Sequence, residues 1–236
     1  MSRQATWEIS REMFLAEDEV EGLLRHVRKG TTAAAVHQRD SVRLDSARLD
    51  RLIVELLLFS GLRNSELCRL TVGDLVGAGS EPALTIRQGG KLDRMVHVPA
   101  AIGRLIDDFR QTTRRRYLPP GVDPDDPTQT LVFHERRRPF ERTGLYRRVV
   151  RILTAAGLEN RASVQLLRHT YGYLAYLRTG GNLLFTQRQL GHAHPMVTAI
   201  YAQLVPESYS ALAEKTAGEM RGKGEEAKRG DATSVV

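Results

Sequence analysis

Ser60-Gly61-Leu62-Arg63-Asn64-Ser65-Glu66-Leu67 is the point at which the pattern of the chain changes. Upstream, from about Ser46 to Ser60, Leu49, Leu52, Ile53, Leu56 and Leu57 recur at helical spacing and form one apolar face. Gly61 ends or bends that helix. Further upstream, Ala16 to Gly30 carries Val20, Leu23, Leu24 and Val27 at the same spacing. Acids fill its first turn, bases its last, and Gly30 is placed as a stop, in agreement with the helix dipole and C-cap chemistry.

Downstream, Ala83-Leu84-Thr85-Ile86-Arg87 and Met95-Val96-His97-Val98-Pro99 alternate on either side of Gln88-Gly89-Gly90-Lys91, which predicts a β-hairpin. Ile102, Leu105, Ile106 and Phe109 predict a helix, and Pro119 to Thr130 a Pro/Asp-rich loop. Leu145, Val149, Ile152 and Leu153 mark another helix, closed near Gly157, and three short helices fit Leu166 to Arg178, Leu183 to Leu190 and Met196 to Gln203. The expected fold is mainly α with a small antiparallel β-sheet (α+β). No composition shift splits residues 1–215, and residues 216–236 hold almost nothing to bury, so disorder is expected there.

Of 236 residues, 41% are hydrophobic and 27% charged, and no run approaches the roughly 18 apolar residues of a membrane span. The first residues lack the apolar core of a secretory signal, so a cytoplasmic location and no membrane partner are expected. The single cysteine, Cys68, excludes an internal disulfide or a cysteine-cluster metal site, and its apolar helical setting suits an inert thiol. Thirty-five basic residues against 28 acidic give a net charge of +7, which favours a polyanionic partner. Arg136, Arg137 and Arg138, with Arg142, Arg147, Arg148 and Arg151, form either a solvated basic face or a strip that tracks DNA phosphates.

Four stretches, taken together and in order, resemble the catalytic domain of the tyrosine site-specific recombinase (phage integrase) family. They are the Gly61-Leu62-Arg63 to Glu66-Leu67 box, the hairpin with Lys91 eight residues before Pro99, Leu166-Leu167-Arg168-His169-Thr170-Tyr171, and Leu190-Gly191-His192 followed nine residues on by Tyr201. The resemblance covers about residues 12–205. It implies Tyr201 as nucleophile, Arg63 and Arg168 as the two arginines, Lys91 as the hairpin lysine, His192 at the His/Trp position and Glu66 as support for the first arginine. His169 reads as structural, with Arg168 and His169 a helix N-terminal pair held by a core carboxylate as the alternative to a phosphate role for Arg168.

Those residue types suit the chemistry. A phenol with a pKa near 10 is ionised only to about one part in a thousand at neutral pH, so it needs activation. Attack on a phosphodiester gathers charge on the non-bridging oxygens, which planar guanidinium groups can meet with paired hydrogen bonds. The resemblance further implies that Lys91 protonates the leaving sugar oxygen and that His192 adds a donor. A 3′-phosphotyrosine would keep the energy of the broken bond for religation, with neither ATP nor metal as cofactor and no small-molecule substrate. The partners implied are double-stranded DNA and further copies of the chain, four around two duplexes. The other class of function is a DNA-binding remnant that occupies sites without cutting.

Two departures stand out. Three residues before Arg168 the family has histidine, where this chain has Gln165, whose amide donates a hydrogen bond but carries no proton between pH 5 and 8. Acid/base assistance at that position is lost. The family also carries an N-terminal helical domain that completes a clamp on DNA. Here only about 15 residues precede the first helix, which leaves open a short recombinase of the fimbrial-switch type, a fragment, or dependence on a partner.

Overall fold

The structure is a computed structural model that describes residues 10–36, 41–77, 81–89 and 91–204. Residues up to Ala202 belong to one compact unit; of the second unit, from Gln203 on, only Gln203 and Leu204 are described. The boundary expected at residue 215 and the tail beyond it lie outside the described residues.

The elements in order are α1 Glu17–Val36, α2 Ser41–Ser60, α3 Asn64–Arg69, β1 Leu75–Val76, β2 Ala83–Gln88, β3 Lys91–His97 and α4 Ala100–Phe109. There follow α5 Arg115–Tyr117, β4 Phe133–His134, β5 Arg138–Pro139, α6 Arg142–Ala155, α7 Val164–Arg178, α8 Leu183–Leu190 and α9 Pro195–Ala199. The fold is mostly helical with small antiparallel sheets, as expected.

α2 is the axis of the domain. Leu49, Leu52, Ile53, Val54, Leu56, Leu57 and Leu58 are all fully buried, so the helix is covered on every side, by α1, α4, α6 and α7. Each such side chain stabilises the fold by about 1.5–3 kcal/mol relative to exposure. Two acids on α2 are buried with partners: Glu55 accepts from Arg28 and Arg51, and Asp45 from Thr113 and Arg116. The Asp45 contacts account for a helix that starts at Ser41 rather than at the expected Ser46.

Gly30 does not stop α1. Gly30 is exposed, and the packing of α1 as a whole along α2 offsets the roughly 1 kcal/mol that glycine costs inside a helix.

β1, β2 and β3 form an antiparallel sheet in that order, with Ala83 opposite His97 and Gln88 opposite Lys91. The predicted hairpin is therefore present, and β1 adds a short edge strand. After α4 the chain runs through a π turn, Arg110–Arg114, into α5. Fully buried Arg114 donates to the carbonyls of Pro124, Thr130 and Leu131 and so holds the Pro/Asp-rich loop. A second hairpin, β4 with β5, goes beyond the sequence pattern; its turn carries Arg136 and Arg137, and Arg138 opens β5.

α7 is capped by Ser163, which accepts from the Leu166 amide at 3.0 Å, and α8 by Asn182, which accepts from the Phe185 amide at 2.9 Å. The single helix expected from Met196 to Gln203 is α9 followed by a 3₁₀ turn, Ala202–Leu204. The break falls where the Tyr201 amide bonds back three residues to the Thr198 carbonyl, at 3.1 Å. Among the described residues no helix is long and apolar enough to cross a membrane.

Candidate active site

The site begins at the end of α2. Gly61 takes φ +63°, and a β-carbon there would come within 2.4 Å of the Tyr171 ring, so only glycine fits this corner. The turn buries Leu62 and brings Arg63 out to the surface, and it aims the Gly61 carbonyl at α7. There Arg168, buried one turn into the helix, donates to Gly61 O and, at 2.6 Å, to Leu190 O. Its partners are backbone carbonyls, so the reading of Arg168 and His169 as a pair held by a core carboxylate does not hold. Arg63 donates to the neighbouring carbonyl, Gly191 O, at 3.1 Å. Both guanidinium groups are thus anchored on the C-terminal turn of α8.

Glu66 fixes Arg63 from the other side. It accepts from the Arg63 amide and from Nη1, both at 2.7 Å, and from both Nη atoms of Arg94 at 3.0 Å. Burial alone would raise this carboxyl, but the bonds from Arg94 and from the Arg63 amide bring it down to about 2. Arg94, on β3, also donates to Gln189 O at 2.9 Å and ties the sheet to α8. Sequence reading missed Arg94. The available signal is its place opposite Ile86, on the strand face that carries buried Val96, where an arginine is out of pattern.

His192, just after α8, shares Nδ1 with Thr198 Oγ1 at 2.9 Å, leaving Nε2 for a ligand. Burial, then Arg168 and Arg63, push it down to about 4, so it is neutral at physiological pH. Tyr201 is 1% exposed. Burial raises its phenol to about 12, with Arg168 opposing. Its oxygen lies 3.1 Å from His169 Nδ1, and His169 Nε2 lies 3.0 Å from the Gln165 side-chain amide one turn earlier. His169, which the sequence presents as structural, therefore touches the expected nucleophile. Arg168 is lowered to about 10, by burial first and by Arg63 second.

Arg63, Arg168, His192, Tyr201, His169, Gln165 and Glu66 are thus gathered in one region. Lys91 opens β3 opposite Gln88; its side chain lies outside the described residues. Cys68 is half-buried, and burial pushes its thiol to about 11, as an inert thiol requires.

Part of the arginine cluster lies at the surface. Arg136, Arg137 and Arg138 are exposed at the β4–β5 turn, with Arg137 at φ +59°, and Arg142 and Arg147 are exposed on α6. A groove of about 1300 Å³ runs between this hairpin and α6, lined by Arg136, Arg138, Arg147 and Arg151 among others. Arg148, which the sequence groups with them, points inward: it is 8% exposed and bonded to Asp50, Glu135 and Ser46. Two acids and a hydroxyl saturate it, and it serves the fold.

Residues 13–207 match the phage integrase family. A tyrosine recombinase XerA of Pyrococcus furiosus is 31% identical over 171 residues, which span 70% of this chain and 54% of that protein. The tyrosine recombinase XerA of Thermococcus onnurineus is 29% identical over 192 residues, 79% of this chain and 62% of the relative. Among solved structures, XerH bound to its difH substrate aligns with a TM-score of 0.66 at 22% identity, covering 87% of this chain and 53% of that one. A XerA recombinase aligns with 0.58 at 26% identity, covering 87% and 64%. The chain belongs to the phage integrase family of tyrosine recombinases. It spans about half to two thirds of the length of these relatives.

Proposed function

We propose that this chain cuts and rejoins double-stranded DNA at specific sites through a covalent 3′-phosphotyrosine on Tyr201, in integration, excision, inversion or resolution of mobile DNA. The observation that carries this reading is the meeting of Arg63, Arg168 and His192 at the end of α8, on the side of α7 that holds the Tyr201 phenol. The two guanidinium groups would hold the non-bridging oxygens of the scissile phosphate, and His192 Nε2 would add a third donor. Lys91, on the hairpin, would protonate the departing 5′ oxygen. The exposed arginines of the β4–β5 turn and of α6 would bind flanking phosphates and fix register on the duplex. Cytoplasmic work on DNA by several copies of the chain, as a tetramer, belongs to the same reading.

Two observations favour the remnant instead: Tyr201 is buried, and the histidine expected three residues before Arg168 is Gln165. A nicked suicide substrate decides. The wild type should give a denaturation-resistant protein–DNA adduct, and Tyr201→Phe should give none while binding the same DNA. DNA binding without any adduct from the wild type would establish the remnant.

A further inference from the structure

Gln165, His169 and Tyr201 form a line of hydrogen-bonding groups: an amide, an imidazole and a phenol, joined at 3.0 and 3.1 Å. Gln165 and His169 stand one turn apart on the same face of α7, and Tyr201 comes from beyond α9. The amide end is exposed, the imidazole half-buried and the phenol buried. We propose that His169 is the group that takes the phenolic proton of Tyr201 during attack, and that Gln165 is a positioning residue that sets the tautomer of His169. This rests on the reading of Tyr201 as the nucleophile.

The tautomer is the crux. For Nδ1 to accept a proton, Nε2 must carry one and donate it. A side-chain amide offers an oxygen and a nitrogen at equivalent places, related by a half-turn of its plane. As placed, the Gln165 amide nitrogen faces His169 Nε2; a half-turn of the amide plane puts its oxygen toward Nε2–H instead, and Nδ1 is then left as an acceptor facing the phenol. After transfer the imidazolium still donates from Nε2 to the same oxygen, so the amide serves both states. A glutamine therefore supports a histidine here without itself moving a proton.

The step balances. The Tyr201 O–H bond breaks and an Nδ1–H bond forms on His169, while the phenolic oxygen bonds to phosphorus. The P–O5′ bond breaks, and the 5′ oxygen takes a proton from Lys91. In religation a 5′-hydroxyl gives its proton to Lys91 as its oxygen bonds to phosphorus, the P–O bond to Tyr201 breaks, and the imidazolium returns its proton to the phenolic oxygen. The charged and titratable groups that bear on His169 are Arg168 on its own helix, Tyr201, and His192 beyond α8. Burial and Arg168 lower the His169 pKa, which keeps the ring neutral at pH 7. The phenol is held at about 12, so a preformed phenolate–imidazolium pair lies far uphill, and transfer has to accompany bond formation to phosphorus.

The test is single-turnover cleavage of a nicked suicide duplex across about pH 5 to 9, with a parallel substrate whose scissile 5′ oxygen is replaced by sulfur. Sulfur leaves without a proton, so that substrate isolates the base from the acid. His169→Asn and His169→Ala should each slow cleavage by about a hundredfold on both substrates, and the acid limb of the wild-type profile should vanish. Gln165→Leu should slow cleavage less and shift that limb. Thermal midpoints and affinity for the intact duplex, measured on every variant, separate these effects from misfolding. A wild type that forms the Tyr201 adduct, beside a His169→Asn variant with the same rate and the same acid limb, overturns the role of His169 and spares that of Tyr201. A loss confined to the oxygen substrate overturns it too, because His169 would then be an acid. No adduct from the wild type removes both readings.

Discussion

The ring of Tyr201 packs against Gly172 on α7, so close that a β-carbon at Gly172 would stand 2.3 Å from its Cζ atom. Gly172→Ala sets two effects against each other. Alanine improves the helix by about 1 kcal/mol, but a contact this short inside a helix forces the ring out and forfeits about 1.5–3 kcal/mol of aromatic burial. The variant should be less stable by about 0.5–2 kcal/mol, seen in denaturant unfolding, and should lose most of its adduct. Normal stability together with a normal adduct would mean that the ring does not depend on this contact.

Arg63 and Arg168 should separate in stability and agree in activity. Arg168→Ala leaves the Gly61 and Leu190 carbonyls without their donor in a buried place, at about 1–3 kcal/mol each. Arg63 is 43% exposed and its pair with Glu66 is partly solvated, so Arg63→Ala should cost at most about 1 kcal/mol. Both should slow cleavage by at least about a hundredfold, from loss of donors to the phosphate. Chemical unfolding beside single-turnover rates checks both halves.

Glu66 gives the site an acid limit. Its folded pKa of about 2 lies below the ordinary 4.5, so its contribution to stability is complete above 4.5 and is lost as the pH falls toward 2. Arg94→Met removes the strongest counterweight to burial and raises that pKa. Acid unfolding followed by circular dichroism should then begin at higher pH than in the wild type, and Arg63 should lose its fixed orientation, with slower cleavage at pH 7. Superimposable acid transitions would show that Arg63 alone holds the carboxylate.

Much of the fold is legible in the sequence. The apolar spacing from Leu49 to Leu57 announces α2, and Gly61 announces its end, because one glycine at the close of a periodic stripe has few other uses. The hairpin around Gly89 and Gly90 is equally plain. Three things are not. Val54 and Leu58 lie off the apolar stripe, and only the presence of helices on every side explains their burial. Arg94 and Arg114 draw no reading from the sequence, because their donors meet a buried carboxylate and buried carbonyls brought from other segments. His169 takes its structural reading from its neighbours in sequence, while its decisive neighbour, Tyr201, lies 32 residues away.

DNA binding should be steeply salt-dependent, weakening on the order of a hundredfold between about 50 and 200 mM salt. Replacing Arg136, Arg137 and Arg138 by glutamine should flatten the log–log slope by about 0.9 for each phosphate no longer neutralised. Arg148→Gln should instead lower the thermal midpoint, because it strands Asp50 and Glu135. An unchanged slope in the triple variant would assign the β4–β5 turn to solvent.

Arg63 and Arg168 rest on the carbonyls of Gly191 and Leu190, two consecutive residues of one helix end. That couples the pair through one shared anchor, beside the separate ones at Glu66 and Gly61. Unwinding the last turn of α8 would remove one acceptor from each cation at once and shift His192, while Glu66 would still hold Arg63 and the Gly61 carbonyl would still hold Arg168. The end of one short helix thus bears on three of the residues that the proposed reading assigns to the phosphate, although that helix supplies none of their side chains.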